Sequence, residues 1–187
     1  MREKGMDTIE TARLSLRCFE PEDAEAAFRN IYSDSEVAAF MHWNMHSCVE
    51  ETAQFISQFI ASYGKPGFYR WAITMKENRE VIGSIGFEVE DPQDAVGSLS
   101  YNLCRRFWGK GIMTEALCAV IRYAFDSAGV NRLEAFHSVR NPASGAVMRK
   151  AGMLLEGRAR QKYRSHMGYE DCDLYGICRD DLPQVCR

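Results

Sequence analysis

The sequence predicts a mixed α/β (α+β) domain, and three features point to it. Three strand-like runs, Tyr69 to Met75, Val81 to Glu90 and Ser98 to Leu103, follow one another with only turn signals between them, the pattern of an antiparallel meander. Apolar residues recur at helical spacing before and after that meander. No repeat, low-complexity tract or linker interrupts the series, and 187 residues fit the roughly 100–200 expected of one domain with a substantial core.

In chain order, Leu14 to Phe19 alternates as a strand. Pro21 then opens a helix to about Tyr32, since its fixed φ and missing N–H suit the first helical position. A second helix, Val49 to Tyr63, repeats Val49, Ala53, Phe55, Ile56, Phe59 and Ile60. The meander turns at Glu77-Asn78-Arg79 and at Asp91-Pro92-Gln93-Asp94. From Ile112 to Phe125, Met113, Ala116, Leu117, Val120, Ile121 and Ala124 share one face, so this helix packs on the sheet. Gly129-Val130-Asn131 ends it, Arg132 to Val139 reads as a strand, and Ser144 to Lys150 as a short helix. Two last strands, about Met153 to Arg164 and Glu170 to Cys178, turn at Ser165-His166-Met167-Gly168. Phe40-Met41-His42-Trp43-Asn44-Met45-His46 has neither period. It is either a substrate-lining loop or one whose Phe40 and Trp43 cap the core while His42 and His46 meet water.

Arg106-Phe107-Trp108-Gly109-Lys110-Gly111, leading straight into the Ile112 helix, carries the most functional information. Glycines at 109 and 111 let the backbone bend tightly and approach a ligand. The unpaired N–H groups of the helix's first turn then converge on one point, with the positive end of the helix dipole behind them. Such a turn suits a phosphate or pyrophosphate. Two nucleotide loops are excluded. Lys110 is followed by Gly111 instead of the magnesium-binding Ser or Thr of a Walker loop, and Thr114 stands where a dinucleotide fingerprint needs a third small residue.

Arg-x-x-Gly-x-Gly at a strand-to-helix turn resembles the acetyl-CoA pyrophosphate loop of the GNAT N-acetyltransferases. Thr11-Ala12-Arg13-Leu14-Ser15-Leu16-Arg17 resembles the opening strand of the Rim-type branch, which acetylates ribosomal-protein N-termini. Glu134-Ala135, Asn141-Pro142-Ala143-Ser144 and Met148-Arg149-Lys150-Ala151-Gly152 are similar to its second cofactor motif. The likeness runs from about Ile9 to Arg179. It departs at Met153, where an aromatic is usual, and at Ser100-Tyr101-Asn102-Leu103, in place of Gly-Tyr-Trp-Leu. The resemblance implies one acetyltransferase domain over residues 1–187, with a core of about 9–179 and a central, mostly antiparallel, splayed sheet flanked by helices. It implies acetyl-CoA as donor, no metal, and a primary amine as acceptor, first among them a protein N-terminus. Small amines such as polyamines, aminoglycosides or amino acids are the alternative acceptors. A non-catalytic acyl-CoA-binding module is the alternative from another class.

Attack of an amine on a thioester calls for a base, N–H donors for the oxyanion and an acid for the leaving thiolate. Because an α-amine has a pKa of about 8, a strong base is unnecessary for it, whereas a lysine amine near 10.4 needs more help. The resemblance places Ser144 as the acid; its rival role is a helix N-cap. The resemblance assigns Asn141 to cofactor or backbone contacts, while Asn-Pro is itself a turn signal. Glu88 is the candidate base, on a strand face shared with Ser84 and Gly86 that is either cleft or solvent, and Glu134 is a weaker second candidate. The resemblance also implicates Leu103 and Cys104, through main chains that would lie along the pantetheine arm. Arg106, Phe107, Trp108, Gly109, Lys110, Gly111, Ile112 and Lys150 complete the expected cofactor site, the three basic side chains being alternatively solvated surface charges. Trp43 and Tyr101 are the expected acceptor contacts.

A net charge of −3 argues against nucleic acid as a partner. No apolar run approaches a membrane span, and the start of the chain leads into no signal-peptide core, so a cytoplasmic protein is expected. Seven scattered cysteines without metal-ligand spacing are expected to be reduced thiols, and no zinc site is expected. Both a monomer and a homodimer are left open.

Overall fold

The structure is a computed structural model and describes residues 6–185. Eight strands form one open sheet in the order β1-β2-β3-β4-β5-β6-β8-β7. They are β1 (Ile9–Glu10), β2 (Leu14–Arg17), β3 (Phe68–Met75), β4 (Val81–Val89), β5 (Val96–Leu103), β6 (Arg132–Ser138), β7 (Leu154–Ser165) and β8 (Gly168–Cys178). All neighbours are antiparallel except β5 and β6. Parallel neighbours need a crossover, which α4 (Ile112–Asp126) supplies. The predicted meander and final hairpin are present. β1 was not anticipated, because two residues carry no readable period.

The site is made by the register of the parallel pair. Val96, Gly97 and Ser98 pair with Arg132, Leu133 and Glu134, and pairing stops there. Beyond that point Leu99 to Leu103 stays on β4 while Ala135 to Ser138 stays on β8. The two strands therefore diverge, leaving a wedge at their carboxyl ends, where ligands bind in open α/β sheets.

Two apolar layers close the sheet. On one face Trp71, Ile85, Phe87 and Leu99 join Ala116, Leu117, Val120, Ile121 and Ala124 of α4, the face its spacing predicted. Met148 and Ala151, in and just after α5 (Pro142–Lys150), extend that layer. On the other face Ala72 and Val81 meet the helical segment from Pro21 to Tyr32, whose α-helical part is α1 (Ala24–Ala27), and Ile56 of α3 (Val49–Ile60). In α3 Thr52 faces inward and Ala53 outward, one residue off the predicted stripe, because Thr52 Oγ1 bonds His46 Nδ1 at 2.8 Å. A short helix, α2 (Ser35–Ala38), starts where the Asp34 side chain accepts from the Glu36 N–H. Cys18, Cys48, Cys104, Cys172 and Cys178 are free thiols, but Cys118 is disulfide-bonded, so the expectation of reduced thiols fails at that position. Among the described residues no helix is long and apolar enough to cross a membrane.

α5 packs so closely on β6 that a Cβ on Gly145 would fall inside contact distance of His137 Nε2. In an open helix Gly→Ala stabilises by about 0.5–1 kcal/mol. Here Gly145→Ala is expected to destabilise by about 1–3 kcal/mol through overpacking. The readout is a melting temperature lowered by about 2–4 °C for each kcal/mol.

Candidate active site

The wedge opens into a cleft of about 850 Å³ lined from β4, β5, β6, α4, α5 and the stretch after α2. Its floor at one end is the glycine turn. Gly109 and Gly111 take φ of 72° and 74°, a left-handed conformation that other residues adopt only with strain. The backbone N–H groups from Gly109 to Thr114 find no acceptor among the described residues; Glu115, whose N–H bonds Gly111 O at 3.0 Å, is the first to do so. A bank of open donors thus faces the cleft at the start of α4. Gly109, Lys110 and Gly111 are exposed, and unpaired N–H groups at an accessible helix start suit an anion.

The turn is braced from the other end of the chain. The Arg13 guanidinium donates to the Lys110 carbonyl (3.1 Å) and to Glu115 Oε2 (2.7 Å), while Glu115 Oε1 accepts from Thr11 Oγ1 (2.6 Å) and the Arg13 N–H (2.9 Å). Burial pushes the Glu115 carboxyl up, but these bonds and the Arg13 charge together outweigh it and hold the group below its usual range. The Trp108 indole donates to the Leu103 carbonyl at 2.7 Å, fastening the loop to the end of β5.

Across the wedge, Tyr101 of β5 meets Ser144 of α5. Their hydroxyls are 2.8 Å apart, and the Tyr101 hydroxyl also lies 3.1 Å from the Ser144 carbonyl. Burial pushes the Tyr101 phenol well above its ordinary pKa, keeping it protonated at neutral pH. Asn141, with Pro142 at the first helical position, is the N-cap of α5 and its side chain accepts from the Ser144 N–H. The cap role that sequence left open for Ser144 therefore belongs to Asn141. Beneath them His137 is buried, its Nδ1 bonded to the Ser138 carbonyl at 2.7 Å and its Nε2 without a hydrogen-bond partner among the described residues.

The far end of the cleft differs in character. Glu36, Glu88 and Glu90 line it beside Phe40, Met41, Phe136 and Tyr163. Glu88 has 58% of its side chain exposed and stands 3.8 Å from the Arg70 guanidinium, which donates to Ser100 Oγ at 2.8 Å. The irregularity in β3–β4 pairing lies before Gly83, so Ser84, Gly86 and Glu88 keep the common face that alternation predicts. Glu134 is instead drawn to Arg132, 3.8 Å away, and is not on the cleft wall. The loop after α2 divides between its two readings. Phe40, Met41 and His42 line the cleft, whereas Trp43 packs on Tyr32 at 5.0 Å and His46 stacks on the same ring at 4.9 Å. The loop is tied to the β7–β8 hairpin by the Tyr163 hydroxyl on the Phe40 carbonyl and His166 Nε2 on the Trp43 carbonyl, both at 3.0 Å.

One buried carboxylate fixes that wall. Glu170, 1% exposed, accepts from Ser138 Oγ at 2.7 Å and from the Arg140 and Ser165 side chains. Arg140 is the main reason its pKa falls to about 2. A carboxyl depressed from about 4.3 contributes stability that is complete above the unfolded value and is lost as pH falls through the folded one. Glu170→Gln is therefore expected to lower the melting temperature by a constant amount above about pH 5, with the gap closing toward pH 2. Thermal melts of both proteins across that range check it.

Of the residues expected from sequence, Glu88, Tyr101, Leu103, Phe107, Trp108, Gly109, Gly111, Ile112, Asn141, Ser144 and Lys150 share the cleft wall. Four do not. Trp43 is in the core packing described above. Arg106 turns to an ion pair with Glu80, Cys104 is buried with its N–H on the Ile82 carbonyl (2.7 Å), and Lys110 lays its ammonium 5.7 Å from the Phe107 ring. Arg13, Glu115 and His137 were not among the expected site residues, and Tyr101, expected at the acceptor, lies on the cleft wall with its hydroxyl bonded to Ser144.

The chain belongs to the GNAT acetyltransferases: residues 13–154 match the acetyltransferase (GNAT) domain. It is 30% identical to the uncharacterized N-acetyltransferase YoaA of Bacillus subtilis over 91% of this chain and 96% of that one. It is 28% identical to the ribosomal-protein-serine acetyltransferase of Escherichia coli over 72% and 75% of the two chains. Among solved structures, RimJ of Mycobacterium smegmatis in complex with CoA-disulfide superposes with a TM-score of 0.86 at 22% identity, covering 96% of this chain and 91% of that one. Rim-type ribosomal-protein acetyltransferases are thus among its homologues and structural neighbours, and the chain is an acetyl-transferring enzyme with the GNAT fold.

Proposed function

We propose that the cleft takes acetyl-CoA and transfers its acetyl group to a primary amine, in the first place the α-amine of a protein N-terminus. The observation carrying this reading is that the open N–H groups of Gly109 and of Gly111 to Thr114 and the Tyr101–Ser144 hydroxyl pair line one cleft. The fit is chemical. A pyrophosphate needs several convergent donors, which the glycine turn has and does not use internally, and Lys150 adds a cation on the same wall. When bound, acetyl-CoA supplies an activated acyl group on a thiol of low basicity.

The chain's own residues do the rest. Either hydroxyl can donate to the other; where Tyr101 donates to Ser144 Oγ, the Ser144 proton is free for the cleft and available to a departing sulfur. Glu88 lines the opposite end, and its carboxylate takes the ammonium or the proton released from it. An N-terminal acceptor is supported by the Rim-type names among the relatives and by apolar side chains beside the carboxylates, suited to the first side chain of a polypeptide. A small polycationic amine is the second reading, favoured by the same three carboxylates.

A thermal-shift titration tests the donor. A ligand binding only the folded state at about 100 times its Kd stabilises by about 2.7 kcal/mol, so acetyl-CoA is expected to raise the melting temperature by several degrees while ATP and NAD leave it unchanged. A larger shift with ATP or NAD would sink the reading. Turnover of N-terminal peptides against spermidine then separates the two acceptors.

A further inference from the structure

We propose that β7, where it leaves the cleft mouth, carries a cationic rail of Arg160, Lys162 and Arg164 that receives an acidic segment of the acceptor polypeptide downstream of its amine. The proposal rests on the N-terminal-amine reading above. Other cations in this region are taken: Arg158 by Asp173 at 2.7 Å, Arg132 by Glu156 at 2.5 Å, and Arg140 by Glu170. Arg160, Lys162 and Arg164 are exposed and make no ion pair among the described residues, in a chain whose net charge is −3. Asp171 accepts the Gln161 N–H at 2.9 Å, between the first two.

The rail is continuous with the acceptor end of the cleft. Lys162 Nζ stands 4.9 Å over the ring of Phe136, a cleft-wall residue, and Tyr163 next to it is another. Arg164 lies 5.9 Å over the ring of Tyr169, which is 66% exposed at the hairpin tip. Inside the cleft the charge reverses, with Glu36, Glu88 and Glu90. A ligand that presents a cation first and anions a few residues later, advancing by about 3.3 Å per residue, matches both ends at once. A polypeptide with an acidic stretch after its N-terminus has that order of charges, and a small amine has no second end to reach the rail. Complementary rim charges of this kind act on encounter and selection and weaken with salt.

The test measures acetyl transfer from acetyl-CoA to three peptides that share their first two residues and carry Glu, Ser or Lys at positions three to six. The intact protein is expected to favour the Glu peptide over the Ser peptide by on the order of tenfold in kcat/KM, as two or three exposed pairs provide, with the preference shrinking as salt rises. Replacing the three cations together (Arg160→Glu, Lys162→Glu, Arg164→Glu) is expected to reverse the order toward the Lys peptide, while the acetyl-CoA thermal shift shows that the variant folds. Equal use of all three peptides by the intact protein overturns the rail and leaves the acceptor reading standing. No turnover of any peptide overturns both. Single-stranded RNA that binds through the same three cations, without any peptide preference, makes the rail a nucleic-acid surface and overturns the proposal.

Discussion

Gly111→Glu is expected to remove acetyl-CoA binding. Gly111 is the N-cap of α4 at φ 74°, and a Cβ there would meet only Arg13 Nη2, at an ordinary 3.7 Å. The protein can therefore accommodate a side chain at the expense of a left-handed backbone, about 1–2 kcal/mol. The ligand fares worse, since a carboxylate at the mouth of the open N–H bank opposes the charge that bank attracts. Charge-assisted hydrogen bonds contribute about 1.5–3 kcal/mol each and the helix terminus up to about 2 kcal/mol. Loss of about 3–5 kcal/mol corresponds to a Kd raised by about two to three orders of magnitude. Gly111→Ala shares the backbone strain without the charge or reach. Calorimetric titration of both variants separates the causes: alanine is expected to lower stability with modest loss of affinity, and glutamate to abolish binding. Equal affinities for the two would mean that no anion sits at the turn.

Ser144→Ala is expected to lower kcat by about 10²-fold, the lower end of what a positioned acid contributes, with acetyl-CoA affinity and melting temperature nearly unchanged. The stability half of this follows from Asn141, which caps α5 in place of Ser144. Tyr101→Phe removes the other member of the pair and is expected to cost a similar factor. Because the two hydroxyls act on one proton, the double variant should lose little more than either single one. Additive losses would show two independent contributions. A fall in activity that tracks a fall in melting temperature would return Ser144 to a structural role.

The sequence announced the elements with long periods and missed what depends on register or distance. The α4 stripe and the meander were readable because burial on one face leaves a period of 3.6 or 2. Where β5 and β6 part is decided by three residue pairs, and no local signal marks residue 98 as the last of them. The Arg13–Glu115 brace joins positions 102 apart, beyond the reach of any motif. α5 starts two residues before the predicted Ser144, because Asn-Pro puts Pro142 at the first helical position and hence Asn141 before it as the cap. Trp43 and Phe40 sit in an aperiodic loop, so which aromatic turns to the core and which to the cleft followed only from the fold.

The most direct test of the central claim follows free thiol and peptide mass together after mixing the protein, acetyl-CoA and a peptide with a free N-terminus. One acetylated α-amine is expected for each coenzyme A released, with both lost in Gly111→Glu and slowed in Ser144→Ala. Acetyl-CoA that raises the melting temperature while no thiol is released and no peptide or small amine is acetylated would contradict it.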